Sequence, residues 1–476
     1  MRRRNLLRLS ALLLVLAASG AYWAAQQHYL FPNGSQLFAW RHRWTAHLEC
    51  YTERWSLRPG DPLRVFASSS SPGPARVRVY PAAGGEAVLD MPVQVPYQPL
   101  RADASVQGCG WEAVWQGALP AAAPGWYLAE LEQQGRRRRS SLFILPAGRP
   151  QRRIAWIFST STWEAYNAWG GKSLYSRDYT HTVSRLRPQP ASDPGIPNTW
   201  EHHQLYYQAA SRDLPLAQLL DSAGLAFDAY SMNDLDAGDS ALLAYDVLLL
   251  STHAEYWSEA SLRHLNACLD RGASLVCLAG NVAAWVTHFD PAAQQMTVYK
   301  SAPNLWEQAD TLGLRPFGTQ YIYLGFHTYA PYQVLDSSWL WAGTGLRPGD
   351  LFGSRSDMYD YTYMYASPAE ALLGLLRKGR AGAASGMEID KVYPRTPAGW
   401  RTLASGLNPP REGRGEVYPD PALPWEAGSG ADLGYYPHPG GGIVFNVSSM
   451  AFTGAIPYDA RIRQIVLNAV RRGLRP

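Results

Sequence analysis

The sequence predicts an α/β protein: a doubly wound domain preceded by an all-β sandwich. Three observations carry this. From Ile154 onward, apolar runs of strand length alternate with helical stretches. From Glu49 to about Leu145, short strands with period-two alternation are cut by Pro and Gly. Between them, Pro146-Ala-Gly-Arg-Pro150 has the composition of a linker.

The 476 residues are enough for two or three domains, and 46% hydrophobic against 17% charged residues fits a chain with a large core. A net charge of +4 over this length is too small to argue for a nucleic-acid partner. Aromatic residues make up 12%, with 18 Trp and 28 Tyr. That content suits an aromatic-lined pocket or carbohydrate contact, and equally a β-rich core with surface tyrosines.

Arg2, Arg3 and Arg4 precede an apolar stretch from Leu9 to about Ala25. This reads as a signal anchor or a signal peptide over residues 1–27. Ala18-Ser-Gly20 offers a small-residue cleavage site, and Trp23 an interfacial anchor. The expected localisation is therefore exported and membrane-anchored on the periplasmic side, or secreted if the segment is cleaved. An oxidising compartment would allow a disulfide between Cys50 and Cys109. Cys277, inside an apolar strand, reads as a small buried hydrophobe.

The sandwich is expected over residues 45–147. Leu63–Phe66 and Ala75–Tyr80 are strands, and Gly125–Glu132 pairs with Ser141–Leu145 across Gln133-Gln-Gly135. Strands at this spacing predict an immunoglobulin-like arrangement. The basic run Arg136–Arg139 reads as a solvated hairpin arm.

In the second region, residues 151–476, the predicted strands are Ile154–Phe158, Ala226–Tyr230, Asp246–Leu250, Ser274–Leu278 and Gly442–Asn446. The helices are Leu214–Ala223, Ser258–Arg271 and Ala460–Arg472. Residues from about 289 to 383, rich in Tyr, Trp, Pro and Gly, read as a large insertion covering the site. Open α/β sheets bind ligands beyond the carboxyl ends of their strands. The run Val247–Leu250 ends at Ser251-Thr252, and His253, Glu255, Tyr256 and Trp257 follow at once.

Each candidate has a plainer reading. Tyr256 would serve as an aromatic plug, Glu388 as a buried acid paired with Arg or Lys, and His253 as a loop histidine. Trp257 and Trp285 would be packing residues. Other chemistries lack their residues: there is no P-loop, no Gly-x-Ser-x-Gly elbow, no CxxC spacing, and no Cys at the Gly280-Asn281 turn.

Five stretches occur in one order: Tyr166-Asn-Ala-Trp-Gly-Gly-Lys-Ser-Leu-Tyr175, His253-Ala-Glu-Tyr-Trp-Ser258, Gly280-Asn-Val-Ala-Ala-Trp285, Gly386-Met-Glu-Ile-Asp390 and Val444-Phe-Asn-Val-Ser448. Together they resemble the C-terminal domain of the large (beta) subunit of the N,N-dimethylformamidase family. The resemblance covers about residues 150 to 476 and leaves the sandwich and the N-terminal segment outside. It implies a flavodoxin-like fold of the ThuA-like, class I glutamine-amidotransferase-like kind.

The resemblance also implies hydrolysis of a small tertiary amide by a mononuclear iron, Fe(III), held by two tyrosines and one glutamate. Carried onto this chain, Tyr256 and Glu388 are ligands, with Tyr207 or Tyr206 as the second tyrosine. Oxygen-only ligation of this type suits a hard trivalent cation. His253 and Glu255 would orient a ligand or shuttle a proton, and Asn281 would hold substrate or an oxyanion. Tyr166, Trp169, Lys172, Trp257 and Trp285 would line the cleft. The family enzyme works with a small partner subunit, so either such a subunit or a homo-oligomer is compatible with this chain. A non-catalytic cell-envelope protein, binding glycans or small molecules through the same aromatic cleft, is the alternative. A structural scaffold is the third reading.

Overall fold

The computed structural model describes residues 34–176, 180–195, 210–322, 329–358, 382–408 and 430–475. After a helix at Gly34–Trp44 the chain is all-β up to Ile144, apart from one helical turn at Ala104–Gln107. A three-stranded antiparallel sheet joins Leu48–Thr52, Pro62–Ser69 and Ala113–Ala118. A five-stranded sheet runs in the order Ser56–Leu57, Arg136–Ile144, Gly125–Gln133, Gly73–Pro81, Leu89–Val95. Leu48, Val65, Val77, Val79, Leu131 and Leu142 share one core between the sheets. The basic run forms the first half of the strand Arg136–Ile144. Its arginines pair with acids: Arg137 with Glu132, Arg138 with Glu49 and Arg139 with Glu130. Cys50 and Cys109 are both free thiols, so the disulfide is not formed.

The central feature is a nine-stranded sheet. Its strands, in chain order, are β1 (Ile154–Phe158), β2 (Phe227–Ser231), β3 (Val247–His253), β4 (Ser274–Gly280), β5 (Tyr332–Val334), β6 (Leu351–Phe352), β7 (Arg401–Gly406), β8 (Asp432–Pro437) and β9 (Ile443–Asn446). The spatial order is β2-β1-β3-β4-β9-β8-β7-β5-β6. The first five are parallel neighbours, and the remaining four attach antiparallel. β1, β3 and β4 are buried along their whole length, which is why each reads as an unbroken apolar run.

This overturns the expectation of a flavodoxin-like, doubly wound sheet behind an immunoglobulin-like sandwich. The described residues form seven sheets, and the largest is mixed. The prediction followed the strand–helix alternation and missed the antiparallel half. β5 and β6 have three and two residues, too few to show a period of two. The same two strands lie inside the segment expected to be an irregular cover, so part of it extends the sheet.

Five helices bear on the site: α1 (Thr160–Tyr166), α2 (Leu214–Ser222), α3 (Met232–Asp236), α4 (Glu259–Asp270) and α5 (Ala460–Gly473). α4 starts where its sequence says, because Ser258 Oγ accepts the backbone N–H of Ser261 at 2.9 Å. The all-β region packs directly on β1. Phe143 stacks on Phe158 with ring centroids 4.8 Å apart, and Trp126 meets the same ring at a tilt, 4.9 Å away. Trp55 Nε1 donates to Glu164 of α1 at 2.6 Å.

The membrane-anchored localisation is also corrected. Among the described residues no helix is long and apolar enough to cross a membrane. The segment 1–27 that carried the expectation lies outside the described residues.

Candidate active site

β3 and β4 lie side by side, with His253 opposite Gly280 at their carboxyl ends. The loops that leave them then join. Ala283 N–H donates to Ala254 O, and Ala284 and Trp285 N–H both donate to Glu255 O, at 2.9 to 3.0 Å. Tyr256–Trp257 and Trp285–Val286 continue as a short parallel pair. α1 holds this loop from below: Thr162 Oγ1 accepts Glu255 N–H at 3.1 Å, and Ser161 Oγ donates to Tyr256 O at 2.8 Å. The peptide around Glu255 is therefore fixed on three sides before any side chain is considered.

Glu255 is the hub. Tyr166 Oη donates to its Oε2 at 3.0 Å. Tyr175 Oη reaches Oε1 at 2.8 Å and Oε2 at 3.0 Å, and Trp285 Nε1 donates to Oε1 at 2.9 Å. His253 Nε2 lies 3.4 Å from Oε2. The Tyr166 and Tyr175 rings stack with centroids 4.0 Å apart, which brings both hydroxyls to one carboxylate. Tyr256, fully buried, donates its hydroxyl to Tyr175 Oη at 2.5 Å.

A second carboxylate stands close by. Glu388 Oε2 accepts Asn281 Nδ2 at 3.0 Å, and Tyr321 also hydrogen-bonds to it. Burial pushes the Glu388 carboxyl well above its ordinary range, and the Glu255 charge pushes it the same way. Lys300 supplies the positive charge. Its Nζ lies 3.1 Å from the Tyr175 ring centroid, 5.3 Å from that of Trp285 and 5.5 Å from that of Tyr256. Burial lowers the Lys300 ammonium to about 8, opposed by the charges of Glu255 and Glu388. His253 is lowered to about 4 by burial, with Glu255 opposing and Lys300 assisting, so its ring is neutral at pH 7.

The backbone is strained at the same place. Among the described residues, eight non-glycine residues adopt left-handed φ, and six of them end strands or start loops around this cluster: Thr252, Asn281, Ala283, Met387, Glu388 and Ser448. Such conformations persist where surrounding contacts over-determine them, and they concentrate at functional sites. Gly280 is required for another reason. A Cβ there would lie 2.1 Å from the carbonyl oxygen of Glu388 and 2.5 Å from Met450 N. The Glu388 loop therefore packs directly on the end of β4.

The expected site residues divide. His253, Glu255, Tyr256, Asn281, Glu388, Tyr166 and Trp285 come together. Trp169 does not: it packs against Trp111 and Phe38 of the N-terminal region, with centroids 5.9 and 5.2 Å away. The Lys172 backbone lies on the same side, its N–H donating to Ser105 Oγ at 3.1 Å. Trp257 is a core residue, fully buried against Phe317 with its Nε1 bonded to Ala254 O. Tyr206 and Tyr207 lie outside the described residues.

Sequence reasoning missed Tyr175, Lys300, Tyr321 and Asp390 as members of this cluster. Tyr175 closes the very motif that Tyr166 opens. Lys300 is one of four lysines in an arginine-rich chain.

A family model described as N,N-dimethylformamidase beta subunit-like, C-terminal, matches residues 75–463. The match begins inside the five-stranded sheet, so the family pattern includes most of the all-β region that had been left outside it. No curated protein matches the chain.

Proposed function

Because this chain belongs to the N,N-dimethylformamidase beta subunit-like, C-terminal family, we propose that it hydrolyses a carbon–nitrogen amide bond at the Glu255 cluster. The observation that carries this is the meeting of two phenol hydroxyls on one buried carboxylate, within 3.0 Å.

That arrangement is a donor set for a hard cation. Among the described residues no three His, Cys, Asp or Glu side chains form a metal-holding group, so ligation here rests on the phenols. Neighbouring oxygens about 2.0–2.2 Å from one ion lie about 3 Å apart, and each of Tyr166 Oη and Tyr175 Oη lies at that spacing from the Glu255 carboxylate. Phenolate and carboxylate oxygens together suit the iron that the family resemblance implies. In this reading the two tyrosines and one glutamate are Tyr166, Tyr175 and Glu255, in place of Tyr256, Glu388 and Tyr207. When bound, the cation would polarise a substrate carbonyl and acidify a water.

The remaining residues act around it. His253, neutral and beside Glu255, accepts a proton at a ring nitrogen. Glu388, whose protonated form is favoured by burial, delivers a proton to the departing amine nitrogen. Asn281 orients Glu388, and Trp285 orients Glu255. A small partner subunit accords with the beta-subunit family.

Metal analysis of the purified full chain, with amine release from short-chain amides, tests this reading. We expect close to one iron per chain, lost in Glu255→Gln together with activity. Iron below about a tenth per chain, or content unchanged in Glu255→Gln, overturns it. The glycan-binding alternative is weakened because two of its three tryptophans, Trp169 and Trp257, are packing residues.

A further inference from the structure

Arg187 is completely buried, and its guanidinium serves the turn between Tyr166 and Tyr175. Nη1 donates to the carbonyl of Trp169 and, at 3.2 Å, to that of Lys172. Nε donates to Ser184 O at 2.9 Å. One planar group thus ties both ends of the Gly170-Gly171 turn to the strand Thr182–Ser184. Both glycines are left-handed, at φ 89° and 95°. Glycine backbone is permissive, so contacts from outside the turn must select this conformation. Burial lowers the guanidinium to about 10, opposed by Glu164, and leaves it charged at pH 7. Its Nη2 is buried without a hydrogen-bond partner among the described residues. An apolar side chain would fill such a place with less desolvation, but it would lack the rigid fork of donors.

The all-β region grips the same turn. Ser105 Oγ accepts the Lys172 N–H at 3.1 Å, and a Cβ at Gly170 would lie 3.0 Å from that oxygen. The Trp169 ring meets Trp111 edge-on at 5.9 Å. Tyr175 follows Lys172 by three positions, and the chain between them is knitted together. Ser173 Oγ accepts the Tyr175 N–H at 3.1 Å, and Leu174 N–H donates to Ala165 O of α1 at 3.1 Å. The turn therefore transmits its position to the phenol that meets Glu255.

We infer that Arg187 is a positioning residue: it fixes the Trp169–Lys172 turn against the all-β region and thereby sets the Tyr175 hydroxyl on Glu255. The inference rests on the amide-hydrolase reading of the Glu255 cluster, and it makes the all-β region part of the catalytic apparatus. Arg187 acts through the backbone of the turn and not by contact with the reacting groups.

Arg187→Lys tests this, because an ammonium keeps the charge near Glu164 but cannot span Ser184, Trp169 and Lys172. The substitution is made in the full chain and again in Tyr175→Phe. In the first background kcat/KM for amine release from a short-chain amide should fall about tenfold or more, and in the second less than about twofold. Equal losses in both, or no loss in the first, overturn the inference, since Arg187 then acts independently of Tyr175. Hydrogen exchange gives a readout that needs no activity. Backbone amides of residues 169–175 should exchange about tenfold or more faster in Arg187→Lys, while those of β3 and β4 keep their protection. Unchanged exchange over 169–175, or lost protection in β3 and β4 as well, overturns the inference and leaves the amide-hydrolase reading standing. A wild-type chain that releases no amine overturns that reading, and exchange then decides the inference alone. If Arg187→Lys does not fold, Ser105→Ala, which removes the acceptor for Lys172 N–H, takes its place with the same outcomes.

Discussion

The Tyr175 hydroxyl reaches both carboxylate oxygens of Glu255, at 2.8 and 3.0 Å. The two residues are 80 positions apart, and the Tyr256 hydroxyl donates to Tyr175 Oη at 2.5 Å. On the proposed reading Tyr175 is a ligand and Tyr256 its support.

Tyr175→Phe and Tyr256→Phe should separate accordingly. Tyr175→Phe removes an oxygen that meets Glu255, so iron content and kcat/KM should both collapse, the latter by about 100-fold or more. Tyr256→Phe removes a hydrogen bond to Tyr175 and should retain most of the iron, with kcat/KM down about tenfold or less. Metal per chain measured beside steady-state kinetics distinguishes the two. Equal loss in both variants would show that Tyr256 is a ligand after all.

Glu388→Gln should trade function for stability. The carboxyl is buried beside Glu255, and both burial and that charge disfavour its ionised form. The amide removes the ionisation that favours the unfolded chain as pH rises, while keeping an acceptor for Asn281. We expect a gain on the order of 1 kcal/mol in unfolding free energy and a loss of about 100-fold or more in kcat. Denaturant unfolding and amine-release kinetics on the same preparation check this.

Asp213 is expected to control how stability varies with pH. It is buried, and its Oδ1 accepts Ser251 Oγ at 2.7 Å and Thr252 Oγ1 at 2.8 Å. Burial raises its carboxyl from 3.8 to about 7, against the pull of those two hydroxyls. A folded pKa above the unfolded one means stability that is fully present below pH 3.8 and is lost as pH rises through about 7. Asp213→Asn keeps the acceptor and removes the ionisation. Its unfolding free energy should fall less from pH 5 to 8 than that of the wild type, by an amount on the order of 1 kcal/mol or more. Parallel slopes in the two proteins would refute the assignment.

Gly280→Ala should not be tolerated. The added Cβ would meet the Glu388 carbonyl at 2.1 Å and Met450 N at 2.5 Å, and both obstacles are backbone. Relief would require moving the Glu388 loop or the chain after β9. A cost of about 3 kcal/mol or more is expected, read as a lowered melting temperature or loss of folded yield. A variant with wild-type stability would mean that the Glu388 loop is not packed on β4.

Much of the parallel half of the sheet was legible because burial leaves a local trace. Val247–Leu250 and Leu275–Leu278 are apolar without interruption, and each is covered on both faces. The antiparallel half left no such trace. β7 reads Arg-Thr-Leu-Ala-Ser-Gly, and β5 and β6 have only three and two residues. Their places are set by pairing across the sheet and not by an apolar period of their own. Trp169 shows the reverse error. It stands in a motif that does contribute to the site, yet its ring turns to Trp111 and Phe38, which precede it by more than fifty residues.

By itself the sequence determined that a buried strand ends at Ser251-Thr252, that His253 with acidic and aromatic groups follows it at once, and that Asn281 and Glu388 stand at comparable places. Those are statements of local periodicity and composition, which one stretch of chain contains. Only the tertiary structure decided that Glu255, and not Tyr256, is where the phenols converge. Adjacent residues in a loop send their side chains in different directions, set by torsions such as the left-handed Thr252 just upstream. The partners that then meet, Tyr166, Tyr175 and Lys300, arrive from 45 to 89 residues away. Their meeting is fixed by long-range stacking and hydrogen bonding, which no local pattern encodes.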